Sequence, residues 1–237
     1  MSVFSDFCRV AACAVALQTR EEEYFEVVKR YTRDELDGFV EAFAMLTNEM
    51  QQRPFEDCLG PFYTEIASKS TRDVRGEFYT PPAVSELMTR MLMDVEQVIA
   101  EGKPITVGEP ACGSGGMILA LAKQFSPLVR DDNKSYVDLL RVTLQDVSPT
   151  SADMAYVNMT QWGIPAKVIL GDTLRGTVDQ VWRNWHWARV GETQKERWQM
   201  MFRVLDDLMQ PESEHQESRE HTPMEPPQDF SQMDFQF

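Results

Sequence analysis

The sequence predicts an α/β fold in which short buried strands alternate with helices around one sheet. Three apolar or β-branched runs, at residues 105–107, 142–145 and 166–170, have the composition of buried strands. An apolar helical run follows the first, and a second helix starts at a serine–proline pair and stops at Gly163. This alternation is typical of a parallel sheet, whose carboxyl edge is the usual place for a ligand.

A glycine turn joins the first predicted strand to its helix and is the most informative part of the chain. Residues 109–116 read Glu-Pro-Ala-Cys-Gly-Ser-Gly-Gly. Glycines permit positive φ and let a ligand approach the backbone, while the unpaired N–H groups of a helix amino end favour an anionic group. Such a turn can also be a purely structural connection, and the sequence around the neighbouring strands is needed to distinguish a ligand site from it.

The second and third predicted strands each end in a carboxylate. Asp146 follows the second strand and Asp172 follows the third. In an open α/β sheet both would lie beside the glycine turn, where Asp146 could bond a ribose diol. The alternative is that both residues cap helices or lie in solvated turns.

Four motifs in this order resemble the adenine-N6 DNA methyltransferases that use S-adenosylmethionine, above all the modification subunits of type I restriction systems. The similar part runs from about residue 55 to 174. It holds Gly-Glu-Phe-Tyr-Thr-Pro-Pro-Ala-Val at 76–84, the glycine turn, residues 146–164 and Gly-Asp-Thr-Leu at 171–174. The resemblance implies a Rossmann-like methyltransferase fold, methylation of adenine N6 in DNA, a role in restriction–modification and a cytoplasmic location.

The resemblance also implies a cofactor site. Thr80 and the glycine turn would flank the methionine part of S-adenosylmethionine, Asp146 would bond its ribose, and Asp172 would read its adenine. Glu109 stands where the family has aspartate, which preserves the charge. The cofactor-binding residues implied in this way are Tyr79, Thr80, Glu109, Ala111, Gly113, Gly115, Asp146 and Asp172. The segment around Thr80 can also be explained as a proline-punctuated loop that precedes a helix.

The family's catalytic tetrapeptide, which is Asn or Asp, Pro, Pro and an aromatic residue, does not occur in this chain. The nearest candidate is Asn184-Trp185-His186-Trp187, after a strand at residues 178–183. Asn184 would then accept the hydrogens of the target adenine and Trp187 would stack on its ring. The alternative is that residues 181–189 form an amphipathic helical run used in packing.

These observations leave three functions open. The first is an active adenine-N6 DNA methyltransferase. The second is a catalytically inactive S-adenosylmethionine-binding relative that serves as a regulatory, antirestriction or partner subunit. The third is an interaction module that kept the fold and lost the cofactor, since function belongs to the site and not to the fold.

The 237 residues are expected to form three regions. Residues 1–70 read as a helical N-terminal region, residues 71–209 as the methyltransferase-like domain, and residues 210–237 as a disordered acidic tail. A helix is expected at 192–209. Too few residues follow Asp172 for the remaining strands of a complete sheet, so we expect an incomplete sheet, or one completed by a partner subunit or a homo-oligomer.

Charge and cysteine content limit the kinds of partner and ligand that are expected for this chain. The net charge is −15, and the tail holds five glutamates and two aspartates against one arginine. Because nonspecific DNA affinity comes from clustered Lys and Arg, we expect weak DNA binding by this chain alone. The four cysteines show no metal-ligand spacing, so no metal is expected. The apolar stretch near the amino end is interrupted by charges, which favours a packed helix over a membrane or signal segment.

The end of the tail, Gln-Met-Asp-Phe-Gln-Phe, is similar to the sliding-clamp peptides of bacterial replication proteins and to the acidic, phenylalanine-ended tails of single-stranded DNA-binding proteins. Phe235 and Phe237 could dock in a pocket of a protein partner while the tail supplies reach. A frayed terminus is the plain alternative.

Overall fold

The computed structural model describes residues 3–66, 80–125 and 139–190. The helices are α1 (Val3–Ala14), α2 (Glu21–Val28), α3 (Arg33–Gln52), α4 (Leu59–Ile66), α5 (Pro82–Leu92), α6 (Val95–Glu101), α7 (Gly116–Phe125), α8 (Pro149–Gln161) and α9 (Trp185–Val190). The strands are β1 (Ile105–Glu109), β2 (Leu140–Asp146), β3 (Ala166–Leu170) and β4 (Gln180–Arg183).

The strands form one mixed sheet in the order β1-β2-β3-β4. β1, β2 and β3 are parallel, with Val107 opposite Val142 and Leu144 opposite Val168, so the three predicted strands are confirmed. β4 runs antiparallel to β3. Within the described ranges no strand pairs with the other edge of β1, as expected for an incomplete sheet.

Helix α8 shows why this sequence folds as predicted. The Ser148 side chain accepts a hydrogen bond from the Ser151 N–H, and Pro149 occupies the first turn. The helix stops before Gly163, whose φ of 69° favours glycine. Residues 150–160 are all buried, because α8 lies between the sheet and the amino-terminal helices.

The amino-terminal helices share one hydrophobic core with the sheet. α1 packs against α8, and Cys8 and Ala12 belong to the same buried cluster as Leu144 and Val168. The predicted boundary near residue 70 lies outside the described residues, as do the predicted helix at 192–209 and the tail with Phe235 and Phe237. Residues 1–70 as a separate region therefore stay a prediction, although the helices within them are built into the core.

A buried ion cluster attaches these helices to α8. Arg20, which is 3% exposed, donates from Nη2 to Asp153 Oδ1 at 2.8 Å and to Glu23 Oε2 at 2.7 Å. Arg9 donates to the other Asp153 oxygen at 2.6 Å and to Glu23 at 2.7 Å. The Arg20 guanidinium also lies 4.1 Å from the centre of the Trp182 ring, whose N–H donates to Glu23. The cluster thus joins α1, α2, α8 and β4.

No helix in the described ranges is both long and apolar enough to span a membrane.

Removing Arg20 should strongly destabilise the fold, because it takes one of the two cations from the buried Asp153 and leaves Arg9 as its remaining ion-pair partner. We expect Arg20→Ala to lower the free energy of unfolding by about 3–5 kcal/mol in urea titrations. The control is Lys29→Ala, which breaks an exposed ion pair with Glu26 and should cost under about 1 kcal/mol. Equal effects of the two substitutions would contradict a dominant role for the buried cluster.

Candidate cofactor site

A cleft of about 1350 Å³ lies at the carboxyl edge of β1, β2 and β3, and we call it the carboxyl-edge cleft. This volume exceeds the roughly 300–1,000 Å³ of ordinary small-molecule pockets. The structure brings six of the predicted cofactor residues to its wall, namely Thr80, Glu109, Ala111, Gly113, Asp146 and Asp172. Gly115 lies behind the wall, and Tyr79 lies outside the described residues.

The glycine turn bends sharply between β1 and α7. Gly113 and Gly115 have φ values of 54° and 83°, which favour glycine. A Cβ on Gly115 would lie 2.9 Å from Met159 Cε, so this residue packs tightly against α8. Gly115 therefore shapes the turn by packing on α8 behind the cleft wall. Its neighbours in the turn are the residues that can contact a ligand.

Asp146 fixes the turn to the end of β2. Its Oδ2 accepts a hydrogen bond from the Gly113 N–H at 2.8 Å, and its Oδ1 accepts one from the Ser148 N–H at 2.9 Å. The Cys112 N–H donates to the Gln145 carbonyl at 2.9 Å beside it. Asp146 therefore organises the turn before α8 and also presents its carboxylate at the wall of the cleft.

Asp172 organises the loop after β3. Its Oδ1 accepts hydrogen bonds from the N–H groups of Leu174 and Arg175, at 2.9 and 3.1 Å. Thr173 donates from Oγ1 to the Pro110 carbonyl at 2.6 Å, which links this loop to the glycine turn. The loop residues Gly171–Leu174 form one side of the cleft.

Glu109 is a carboxyl group of the cleft wall whose pKa is strongly raised. Burial, followed by the nearby charge of Asp146, raises the pKa of Glu109 to about 8. Its Oε2 is buried without a hydrogen-bond partner. A buried acceptor of this kind at a cleft wall is suited to a cationic donor from a ligand.

Asp57 also lines the cleft, although the sequence analysis did not single it out. It precedes α4, and its Oδ1 accepts from the Leu59 and Gly60 N–H groups, so an Asp-x-x-Gly helix start was the only local signal. Its Oδ2 accepts a hydrogen bond from the Ser114 hydroxyl inside the glycine turn. Sequence patterns do not reveal that contact, because the two residues are far apart in the chain.

The predicted catalytic residues do not lie in the cleft. β4 is antiparallel to β3 and Arg183 pairs with Lys167, so Asn184 follows at the amino end of β3, on the opposite edge of the sheet. Asn184 is 0% exposed; its Oδ1 accepts from the N–H groups of Ala166 and Trp187, and its Nδ2 donates to the Ile164 carbonyl. Trp187 is buried at 2% exposure. The structure therefore gives Asn184 and Trp187 packing and backbone contacts away from the cleft, and their assignment as acceptor and stacking ring stays a prediction that this geometry does not favour.

Within the described ranges, no group of three or more His, Cys, Asp and Glu side chains could hold a metal ion.

Comparisons with known proteins place the chain in a family. A family model described as N-6 DNA Methylase matches residues 55–207, more than half of the chain and from a point before the predicted boundary at residue 71. A solved structure from Listeria monocytogenes, described as a candidate class I S-adenosylmethionine-dependent methyltransferase, is 13% identical with a TM-score of 0.40. The match covers 76% of this chain and 49% of that one, so this chain spans about half of its length. No curated protein matches.

The raised pKa of Glu109 should appear in the pH dependence of stability. Between its ordinary value in the unfolded chain and about 8 in the folded state, the folded protein holds a proton that the unfolded chain has released. Stability should therefore fall as pH rises through this window, by up to about 1.4 kcal/mol per pH unit from this group. Glu109→Gln removes the effect.

Urea unfolding of the native chain and of Glu109→Gln at pH 5 and pH 8 measures this. We expect the difference in unfolding free energy to shift in favour of the glutamine variant at pH 8. Parallel pH profiles would show that Glu109 titrates normally.

Proposed function

We propose that this chain, which belongs to the N-6 DNA methylase family, binds S-adenosylmethionine in the carboxyl-edge cleft and serves in adenine-N6 methylation of DNA. The chain resembles S-adenosylmethionine-dependent DNA methyltransferases. The observation that carries the proposal is the buried, unpartnered Oε2 of Glu109, beside the carboxylate of Asp146.

The chemistry of the cleft fits this cofactor. S-adenosylmethionine carries two positive charges, on its ammonium and its sulfonium, and supplies a methyl group for transfer to a nucleophile. The carboxylates of Asp146 and Asp172 give the cleft wall a negative potential that favours such a cation, and Glu109 adds a third carboxylate once an ammonium has displaced its proton. In the proposed arrangement Glu109 accepts the ammonium, Asp146 faces the ribose, Asp172 faces the adenine, and Thr80 lies beside the methionine part.

A second candidate function is a catalytically inactive cofactor-binding partner or regulatory subunit, including an antirestriction role. It is favoured because the catalytic tetrapeptide is missing from the sequence and because Asn184 lies on the wrong edge of the sheet. Residues that hold the target base would then come from another chain.

Helix α5 supports association with another chain. Its small polar residues Ser85 and Thr89 are buried, and Thr89 accepts a hydrogen bond from Gln124 of α7 at 2.6 Å. Its apolar residues are instead exposed, and they recur at helical spacing: Val84, Leu87, Met88, Met91 and Leu92. α5 packs on α7, the helix that follows β1. An exposed apolar stripe of this kind is typical of a surface that another chain covers.

Four further expectations from the sequence stay predictions. They are a restriction–modification role, a cytoplasmic location, weak DNA binding by this chain alone, and docking of Phe235 and Phe237 in a protein partner.

Cofactor binding tests the proposal directly. We expect isothermal titration calorimetry to detect S-adenosylmethionine binding, and we expect Asp146→Ala to weaken it at least tenfold, since a charged hydrogen-bond partner is worth about 1.5–3 kcal/mol. Because the pKa of Glu109 is about 8, an ammonium partner should displace its proton at pH 7. Titrations in buffers of different ionisation enthalpy should show release of about one proton, absent in Glu109→Gln. Absence of binding heat and of a thermal shift would refute the proposal.

Methyl incorporation separates the two candidate functions. An active methyltransferase should transfer labelled methyl from S-adenosylmethionine to N6 of adenine in mixed unmethylated DNA. A partner subunit should bind the cofactor without transfer when alone, and it should associate with another chain through α5. If that chain is a second copy, sedimentation should show a dimer that Leu87→Glu dissociates, whereas Asp37→Asn on the surface of α3 should leave it intact. Transfer by a monomer would reject the second candidate.

A further inference from the structure

Asp57 joins three parts of the molecule through one carboxylate. Its Oδ1 accepts from the Leu59 and Gly60 N–H groups at 3.2 and 3.0 Å, which caps the amino end of α4. The same oxygen accepts from Asn158 Nδ2 of α8 at 3.1 Å. Its Oδ2 accepts from the hydroxyl of Ser114 in the glycine turn. Both carboxylate oxygens are thus occupied by protein donors.

The side chains of Asp57 and Ser114 are closely packed by their neighbours. A Cβ on Gly60 would lie 2.3 Å from Asp57 Oδ2 and 2.5 Å from Ser114 Oγ. Ser114 is 1% exposed, and its backbone carbonyl accepts a second hydrogen bond from Asn158 Nδ2 at 2.9 Å. Asn158 is itself fully buried. The Ser114 side chain is therefore held in one position by contacts from α4 and α8.

Two carboxylates consequently hold adjacent residues of the glycine turn. Asp146, at the end of β2, accepts a hydrogen bond from the Gly113 N–H. Asp57, just before α4, accepts one from the hydroxyl of the next residue, Ser114. A turn with several glycines loses much conformational freedom when it is fixed. A site that is fixed before the ligand arrives binds more tightly, because the cost of ordering it has already been met.

We propose that Asp57 is a positioning residue for the cofactor turn, through which the helices before the sheet set the affinity for S-adenosylmethionine. The inference rests on the proposed cofactor binding. Asp57 acts through Ser114, and the site that it serves extends upstream of the predicted boundary at residue 71.

A double-mutant cycle tests this inference in the full chain. Ser114→Ala removes the hydroxyl and keeps the cap of α4, while Asp57→Asn removes the charge. We expect each substitution to weaken S-adenosylmethionine binding about five- to thirtyfold in calorimetry. The double variant should bind about as weakly as Ser114→Ala alone, because without the Ser114 hydroxyl the side chain at position 57 has no hydrogen bond to this turn residue left to weaken.

A matched control distinguishes positioning from general stability. Asp94 caps α6 by accepting from the Gln97 N–H at 3.1 Å, as Asp57 caps α4, but it has no contact with the glycine turn. Asp94→Asn, like Asp57→Asn, exchanges one good capping residue for another, so it should leave the dissociation constant for S-adenosylmethionine unchanged with only a small change in the unfolding midpoint. Native-like cofactor affinity in Ser114→Ala and Asp57→Asn, or additive losses in the double variant, would overturn the inference.

Hydrogen exchange tests the positioning role of Asp57 even if the chain does not bind S-adenosylmethionine. If the native chain shows no binding, the proposed function fails. The positioning role is then measured by amide exchange at residues 113–116, which should accelerate in Asp57→Asn and Ser114→Ala but not in Asp94→Asn. Unchanged exchange in the first two variants would refute the role of Asp57.

Discussion

The hydrogen bond from the Gly113 N–H to Asp146 is the interaction on which the candidate site depends. It joins the turn after β1 to the end of β2, and it exists only because parallel pairing brings both strand ends to one edge. The loop after β3 joins the same assembly through Thr173 and Pro110. Three strand ends that are separate in sequence thus form one wall, and the acidic groups on that wall follow from the sheet register.

The helices before the sheet are part of this assembly. Arg20 and Arg9 bind Asp153 of α8, and Asp57 reaches Ser114 and Asn158. Buried charges of this kind contribute little net stability compared with apolar packing, but they are costly to leave unpaired, so they specify one arrangement of α1, α2 and α8. The family match, which begins at residue 55, agrees with a cofactor domain that includes α4.

Local rules explain what the sequence could predict. The parallel strands, the start of α8 at Ser148 and its end at Gly163 depend on neighbouring residues, and the structure confirms them. The positions of Asp146 and Asp172 at the cleft follow from strand order alone. Contacts between residues far apart in the chain leave no local pattern, so neither the bond between Asp57 and Ser114 nor the burial of Arg20 against Trp182 could be predicted.

The position of residues 180–187, away from the cleft, has a definite physical cause. The polar residues Gln180 and Arg183 suit an edge strand with exposed side chains, whereas a central strand of a parallel sheet would be buried on both faces. Once β4 pairs antiparallel with β3, the chain after it must emerge at the amino edge. There the Asn184 side chain satisfies the Ala166 N–H and the Ile164 carbonyl, groups that would otherwise be buried without partners. An asparagine whose Oδ1 already accepts from two backbone N–H groups has no lone pair left to accept a hydrogen bond from a base.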